Sequence, residues 1–176
     1  YQELSIFQVP MIYCIHMLLI GLGNPGKEYE NTRHNAGFMA LDAFEKESSS
    51  ANIHLLRPDT FMNSSGVAVK KELKRLKLKT QDLLVVHDDI DLPLGTIKVS
   101  TNRGSAGHKG VESIISALGT RDFTRIRIGI QPMKGKPESV ESFVLRKFTK
   151  EEQKTLESVM ENVCAALETL LKQKTK

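Results

Sequence analysis

His34 stands between Arg33 and Asn35 in the stretch GNPGKEYENTRHNAG, residues 23–37, which follows an apolar run. A neutral imidazole can take a proton from water near pH 7. The pattern predicts a helix starting near Thr32, with His34 one or two positions inside it. The positive end of its dipole would disfavour imidazolium. A surface histidine would fit the same position. A second polar group follows the apolar run LLVV: His87, Asp88, Asp89, Ile90 and Asp91. Three carboxylates and an imidazole are donors of the kind that hold a divalent metal. The same residues can form a plain polar turn. In a third arrangement Asp88 accepts a hydrogen bond from one nitrogen of His34, fixing the tautomer and stabilising the cation formed on protonation.

Two carboxamides lie in comparable places, Asn24 before Pro25-Gly26 and Asn63 after Thr60-Phe61-Met62. An amide offers donors and an acceptor at once, which suits a peptide backbone or a carbonyl oxygen. Asn is also an ordinary turn residue. The stretch from Ser100 to Gly110, STNRGSAGHKG, is small and polar and can approach a large ligand closely. Ser105 has no GxSxG setting, so a serine nucleophile is unsupported. Gly21-Leu22-Gly23-Asn24-Pro25-Gly26 matches GxGxxG in form, but Pro25 removes one N–H and several polar residues delay the helix, against a dinucleotide site. Cys14 and Cys164 follow no metal or disulfide spacing and lie in apolar patterns.

The elements that must position these groups alternate along the chain. Apolar runs at 17–20, 53–56, 83–86, 97–99 and 126–130 read as strands. LLVV, apolar on both faces, reads as a buried central strand. Helical patterns fall between them: one from near Thr32, one through Val67 to Leu76 capped by Ser64 or Ser65, and one through Val111 to Leu118 stopped by Gly119. A long helix opens with the capping box Thr149 to Glu152 and closes on Lys172 and Lys174. This order argues for a single-domain α/β three-layer sandwich, with a mixed, mostly parallel sheet and helices on both faces. Ligands of such sheets bind beyond the carboxyl ends of strands. That selects the loops at 21–32, 57–65, 87–94 and 100–109, which hold Asn24, Asn63, Asp88 and Ser105, with His34 just beyond the first.

A chain of 176 residues with 40% apolar content fits one domain with a full core. The formal charge of +4 leans towards an anionic partner. Part of it is local, with Lys70, Lys71, Lys74, Arg75, Lys77 and Lys79 forming what is usually a solvated helix face. Residues 1–16 read as an N-terminal extension of uncertain status, with Met17 as a natural start, and 17–176 as one folded domain. The first residues lack a basic region and a small-residue cleavage site, and the apolar run is too short to span a bilayer. The Asn63-Ser64-Ser65 sequon is therefore discounted.

Five ordered blocks, GLGNPGKEYENTRHNAG, RPDTFMNSSG, VVHDDIDLPLG, GSAGHKG and FTRIRIGI, together resemble the bacterial-type peptidyl-tRNA hydrolases from Met17 to Phe148. The resemblance implies hydrolysis of the ester between a peptide and the terminal ribose of tRNA, which recycles tRNA from ribosome-free peptidyl-tRNA. It implies a cytoplasmic monomer with no metal or cofactor. Carried over by motif, His34 is the base that activates water and Asp88 holds it. Asn24 contacts the peptide, and Asn63 positions the substrate and polarises the scissile carbonyl. Tyr29 and Phe61 line the cleft. Arg127, with neighbouring basic groups, meets the terminal phosphate of tRNA. Three departures from the family pattern stand out. Lys109 replaces the usual Asn and can meet phosphate instead. Ser100 replaces a common basic residue. The segment from Ala43 to Ile53 is short by roughly a strand and its turn, and the C-terminal tail is short as well. Two rivals remain: a non-hydrolytic RNA-binding relative of the same fold, and a nucleotide-cofactor enzyme.

Overall fold

The computed structural model describes residues 17–47 and 53–174. The expected extension at 1–16 and the serine run at 48–50 lie outside them. Strand β1 (Met17–Gly21) is buried along its whole length. Its side chains alternate between two cores. Met17 and Leu19 join one, and Leu18 and Ile20 join the other. Strand β3 (Leu83–Pro93) divides likewise, with Leu84 and Val86 on one side and Leu83 and Val85 on the other. A strand buried on both faces needs helices on both, which is why these runs are continuously apolar.

Helices α1 (Ala36–Glu47) and α5 (Lys150–Gln173) cover the first core. Helices α2 (Ser65–Leu76) and α3 (Lys109–Leu118) cover the second. The sheet also contains β2 (Ile53–Leu56), β4 (Ile97–Thr101) and β5 (Thr124–Gln131), in the order β2-β1-β3-β5-β4. All neighbours pair in parallel except β4, which runs antiparallel to β5. The three-layer sandwich with a mixed sheet is as expected from the sequence. Helix α5 has the expected capping box: the Thr149 hydroxyl accepts from the Glu152 N–H at 3.2 Å, and the Glu152 carboxylate from the Thr149 N–H at 2.8 Å. Its apolar face buries Leu156, Val159, Met160, Val163 and Leu167. Each large side chain contributes about 2 kcal/mol by burial, enough to outweigh the helix's intrinsic propensity.

Several boundaries differ from the sequence reading. β3 does not end at Val86 but continues through His87-Asp88-Asp89 to Pro93, with an irregular register between Asp89 and Pro93. Hydrogen bonding to β5 carries the polar run on as strand. The helix expected at Thr32 begins as a tight 3₁₀ turn, Arg33–Asn35, and α1 starts at Ala36. Thr32 is not a cap, because its hydroxyl donates to the Tyr29 carbonyl at 2.8 Å. Neither Ser64 nor Ser65 caps α2: Ser64 makes no side-chain cap bond, and the Ser65 hydroxyl donates to the Met62 carbonyl at 2.9 Å. A short helix absent from the reading, α4 (Val140–Val144), precedes α5.

Candidate active site

Asp88 lies on the central strand, flanked by β1 and β5, with 2% of its surface exposed. The sheet register places it where the turn ahead of α1 and the start of α3 converge. His34 Nδ1 lies 3.0 and 3.1 Å from the two Asp88 oxygens. On the other side His108 Nε2 lies 2.9 Å from Asp88 Oδ1. Hydrogen bonding assigns both tautomers. His108 caps α3, its Nδ1 accepting from the N–H groups of Gly110 and Val111 at 3.2 and 3.3 Å. That nitrogen is therefore bare, and Nε2–H donates to Asp88. His34 donates Nδ1–H to the same carboxylate, which leaves its Nε2 with a free lone pair. His34 lines the cleft.

Burial opposes ionisation of Asp88, but the two histidines outweigh it and hold the carboxyl far below its ordinary range. For His34, burial lowers the pKa, attraction to Asp88 and their hydrogen bond raise it, and Lys109 lowers it again; the net result lies above 6.5. This corrects the expectation from the helix dipole. His34 precedes α1 in a 3₁₀ turn, and the carboxylate 3.0 Å away dominates. His87 is also buried. Its Nδ1–H donates to the Asp88 carbonyl at 2.7 Å, and its Nε2 has no partner. Desolvation holds its pKa well below the ordinary value.

The local sequence explains how His34 reaches Asp88. A Cβ on Gly21 would fall 2.3 Å from the Gly37 carbonyl oxygen, and one on Gly37 would fall 2.4 Å from Leu22 N and the Val86 carbonyl oxygen. These glycines let α1 sit directly on β1 and β3. They are packing positions, and a Cβ on Gly23 would meet the Phe38 ring at 2.7 Å. Gly21 and Gly23 of the GxGxxG match thus serve the packing of α1 on the sheet. Asn24 and Asn35 lock the two loops together. Asn24 N–H donates to Asn35 Oδ1, and Asn35 Nδ2–H to the Asn24 carbonyl, both at 2.9 Å.

Arg33 anchors the far side of the turn. Its Nη1 donates to the carbonyls of Arg146 and Lys147, both at 3.1 Å. Its Nη2 pairs with Glu152 at 2.5 Å. The guanidinium also lies over the Phe143 ring, 4.2 Å from its centroid.

A cleft of about 520 Å³ opens over this cluster. Asn24, His34, Phe61, Asn63, Asp88 and Lys109 all line it, so most of the sequence candidates converge. The Asn24 amide oxygen accepts from the Met62 N–H at 2.8 Å, so its Nδ2 donors are what remains for a ligand. The opposite wall comes from α4, through Val140, Glu141 and Val144. Tyr29 is not part of the lining. It packs edge-on behind Phe61, with ring centroids 6.3 Å apart. Arg127 is outside the lining too, and its Nε pairs with Asp89 at 2.6 Å. Cys164 is buried in α5, and burial pushes its thiol up to about 11.

Sequence reasoning passed over three contributors: His108, Arg33 and Asn35. A polar residue just before the apolar pattern of α3 was the available signal for His108 as a cap. Nothing local distinguishes Arg33, whose partners are over a hundred positions away. The donor atoms of His34, Asp88 and His108 lie within 4.8 Å of one another, close enough for a metal to be considered. The protonation pattern does not favour one. A metal on His108 Nε2 would leave the neutral ring's proton on Nδ1, facing the backbone N–H donors that Nδ1 accepts now.

A histidine held by a buried carboxylate in the lining of an open cleft is an arrangement that can take a proton from water, as hydrolytic chemistry requires. A sequence model of the family described as Peptidyl-tRNA hydrolase matches residues 18–176. The peptidyl-tRNA hydrolase of Pseudothermotoga lettingae is 39% identical, over 88% of this chain and 89% of its own length. That of Aquifex aeolicus is 42% identical, over 85% and 87%. The crystal structure of the Acinetobacter baumannii enzyme superposes with a TM-score of 0.82 at 30% identity, covering 92% of this chain and 91% of its own. The chain belongs to the peptidyl-tRNA hydrolase family.

Proposed function

We propose that this peptidyl-tRNA hydrolase cleaves its ester with His34 as the base and Asp88 as its orienting partner. His34 Nε2 takes a proton from water as the oxygen attacks the ester carbonyl carbon. Asp88 stays ionised and stabilises the imidazolium through Nδ1–H. The carbonyl oxygen gains negative charge, which an amide N–H of Asn63, on the cleft lining, offsets. The intermediate collapses, the bond to the ribose oxygen breaks, and His34 returns its proton to that oxygen. The products are a peptide carboxylate and free tRNA. An activated ester needs only a base and water, with no metal or covalent intermediate.

Asn24 meets the peptide, over the exposed ring of Phe61 with Tyr29 behind it. Lys109, on the cleft lining, faces the phosphates at the acceptor end of tRNA, whereas Arg127 is held by Asp89 away from the cleft. The enzyme works as a monomer in the cytoplasm on peptidyl-tRNA that has left the ribosome. No helix among the described residues is long and apolar enough to cross a membrane. The non-hydrolytic alternative is not favoured, since the similar proteins are named as hydrolases.

The observation that carries this reading is the 3.0 Å contact between His34 Nδ1 and Asp88 beneath the open cleft. Single-turnover hydrolysis of a peptidyl-tRNA tests it. His34→Ala is expected to lose about 10³-fold in rate while retaining tRNA affinity. Equal rates for the two proteins would remove His34 from the mechanism.

A further inference from the structure

Lys109 is the first residue of α3, directly after His108, whose ring centroid lies 4.9 Å from that of His34. Its ammonium meets the Glu141 carboxylate of α4 at 2.5 Å, and both residues line the cleft. The pair therefore bridges the α3 and α4 walls of the cleft that His34 also lines. We propose that Lys109 and Glu141 form a charge pair that sets the basicity of His34. Lys109 is a positioning residue whose cation opposes protonation of the ring, and Glu141 holds and neutralises that cation. This rests on the reading of His34 as the base.

The charged groups around His34 leave this pair as the adjustable element. From β3, Asp88 is bound directly to His34, while Asp89 is closed off by Arg127 at 2.6 Å. Lys136 is taken by Asp91 at 2.8 Å. His108, ahead of α3, is engaged on both ring nitrogens, by the Gly110 and Val111 N–H groups and by Asp88. On His34's own turn, Arg33 reaches away to Glu152. The side chains of Lys109 and Glu141 are 61% and 76% exposed, so salt screens the pair readily. Lys109 also pushes the His34 pKa down, in the direction the geometry requires.

The test is an NMR titration of the His34 ring in the intact protein, with its signal assigned by loss in His34→Ala. Removing the cation with Lys109→Gln is expected to raise the pKa by about 0.5 unit. Glu141→Gln leaves the cation uncompensated and is expected to lower it by about 0.3 unit. Both shifts should shrink in about 1 M salt. Opposite signs support the proposal, and any other pattern in low salt overturns it. Because this titration needs no substrate, it separates two failures. If the ring shifts as expected but the acidic limb of kcat/KM for peptidyl-tRNA does not follow, His34 is not the base, and it is the functional reading that falls.

Discussion

At the scale of residues, the chemistry rests on how three side chains share their protons. Asp88 accepts from His34 on one side and His108 on the other. Held by ring nitrogens on two sides, the carboxylate is pinned rather than free to rotate. The His34 pKa is raised, so the base is protonated until the pH passes above 6.5. The acidic limb of kcat/KM should therefore rise through a midpoint above that value. Asp88→Asn reverses the sign: burial and Lys109, both lowering, then act without the carboxylate. The midpoint should fall below 6.5 while the plateau drops about 100-fold or more, as the wrong tautomer and an unsupported imidazolium take over. A pH–rate series on both proteins checks this, and an unmoved midpoint would show that Asp88 does not govern the base.

At the scale of elements, the site depends on how closely α1 sits on the sheet and how firmly its leading turn is held. Gly37 is the point of contact, with backbone atoms of Leu22 and Val86 where a side chain would begin. Gly37→Ala must push α1 away from β1 and β3. Rigid backbone cannot yield as a flexible side chain can, so a loss of about 3 kcal/mol in stability is expected. The same displacement would draw His34 from Asp88, so kcat should fall even where the variant is still folded. Urea denaturation and turnover at low temperature measure the two effects separately. On the other side of the turn, the backbone N–H of Arg33 donates to the Arg146 carbonyl and that of Phe148 to the Asn31 carbonyl, both at 3.1 Å. The base is thus tied to the segment joining α4 and α5, although α5 adds nothing to the cleft lining.

At the scale of the whole molecule, the buried ionisable groups set the response to acid. His87 has its folded pKa depressed, so its protonation favours the unfolded chain. Its contribution is fully present above 6.5 and is lost as pH falls below that value. Asp88 acts in a lower window: its depressed pKa gives stability above 3.8 that is lost as pH falls further. His34, with a raised pKa, contributes stability that is present below 6.5 and lost as pH rises through its folded value. The window just below 6.5 therefore belongs to His87. Wild-type urea midpoints should decline from pH 6.5 downward, and His87→Gln should flatten that decline whatever its absolute stability. An unchanged slope would mean that His87 is not the acid-sensitive group.

The sequence by itself determined what repeats locally or is strung out in order. Alternation of apolar runs and helical faces settled the layers and the mixed sheet, because periodicity reports which side of an element is buried. The ordered motifs settled the family and brought forward His34, Asp88, Asn24, Asn63, Phe61 and Lys109. Tertiary structure decided what depends on distance across the fold. Hydrogen bonding to β5 turned the HDDIDLP loop into strand, and a carboxylate from another element, not the helix end, set the pKa of His34. Tyr29 was moved behind Phe61, and Arg127 was given to Asp89. His108, a cap that local sequence does signal, gained Asp88 as a second partner, and Arg33 gained a role that local sequence cannot encode, because these partners come from distant parts of the chain, brought to the same place only when the sheet and its two helical layers assemble.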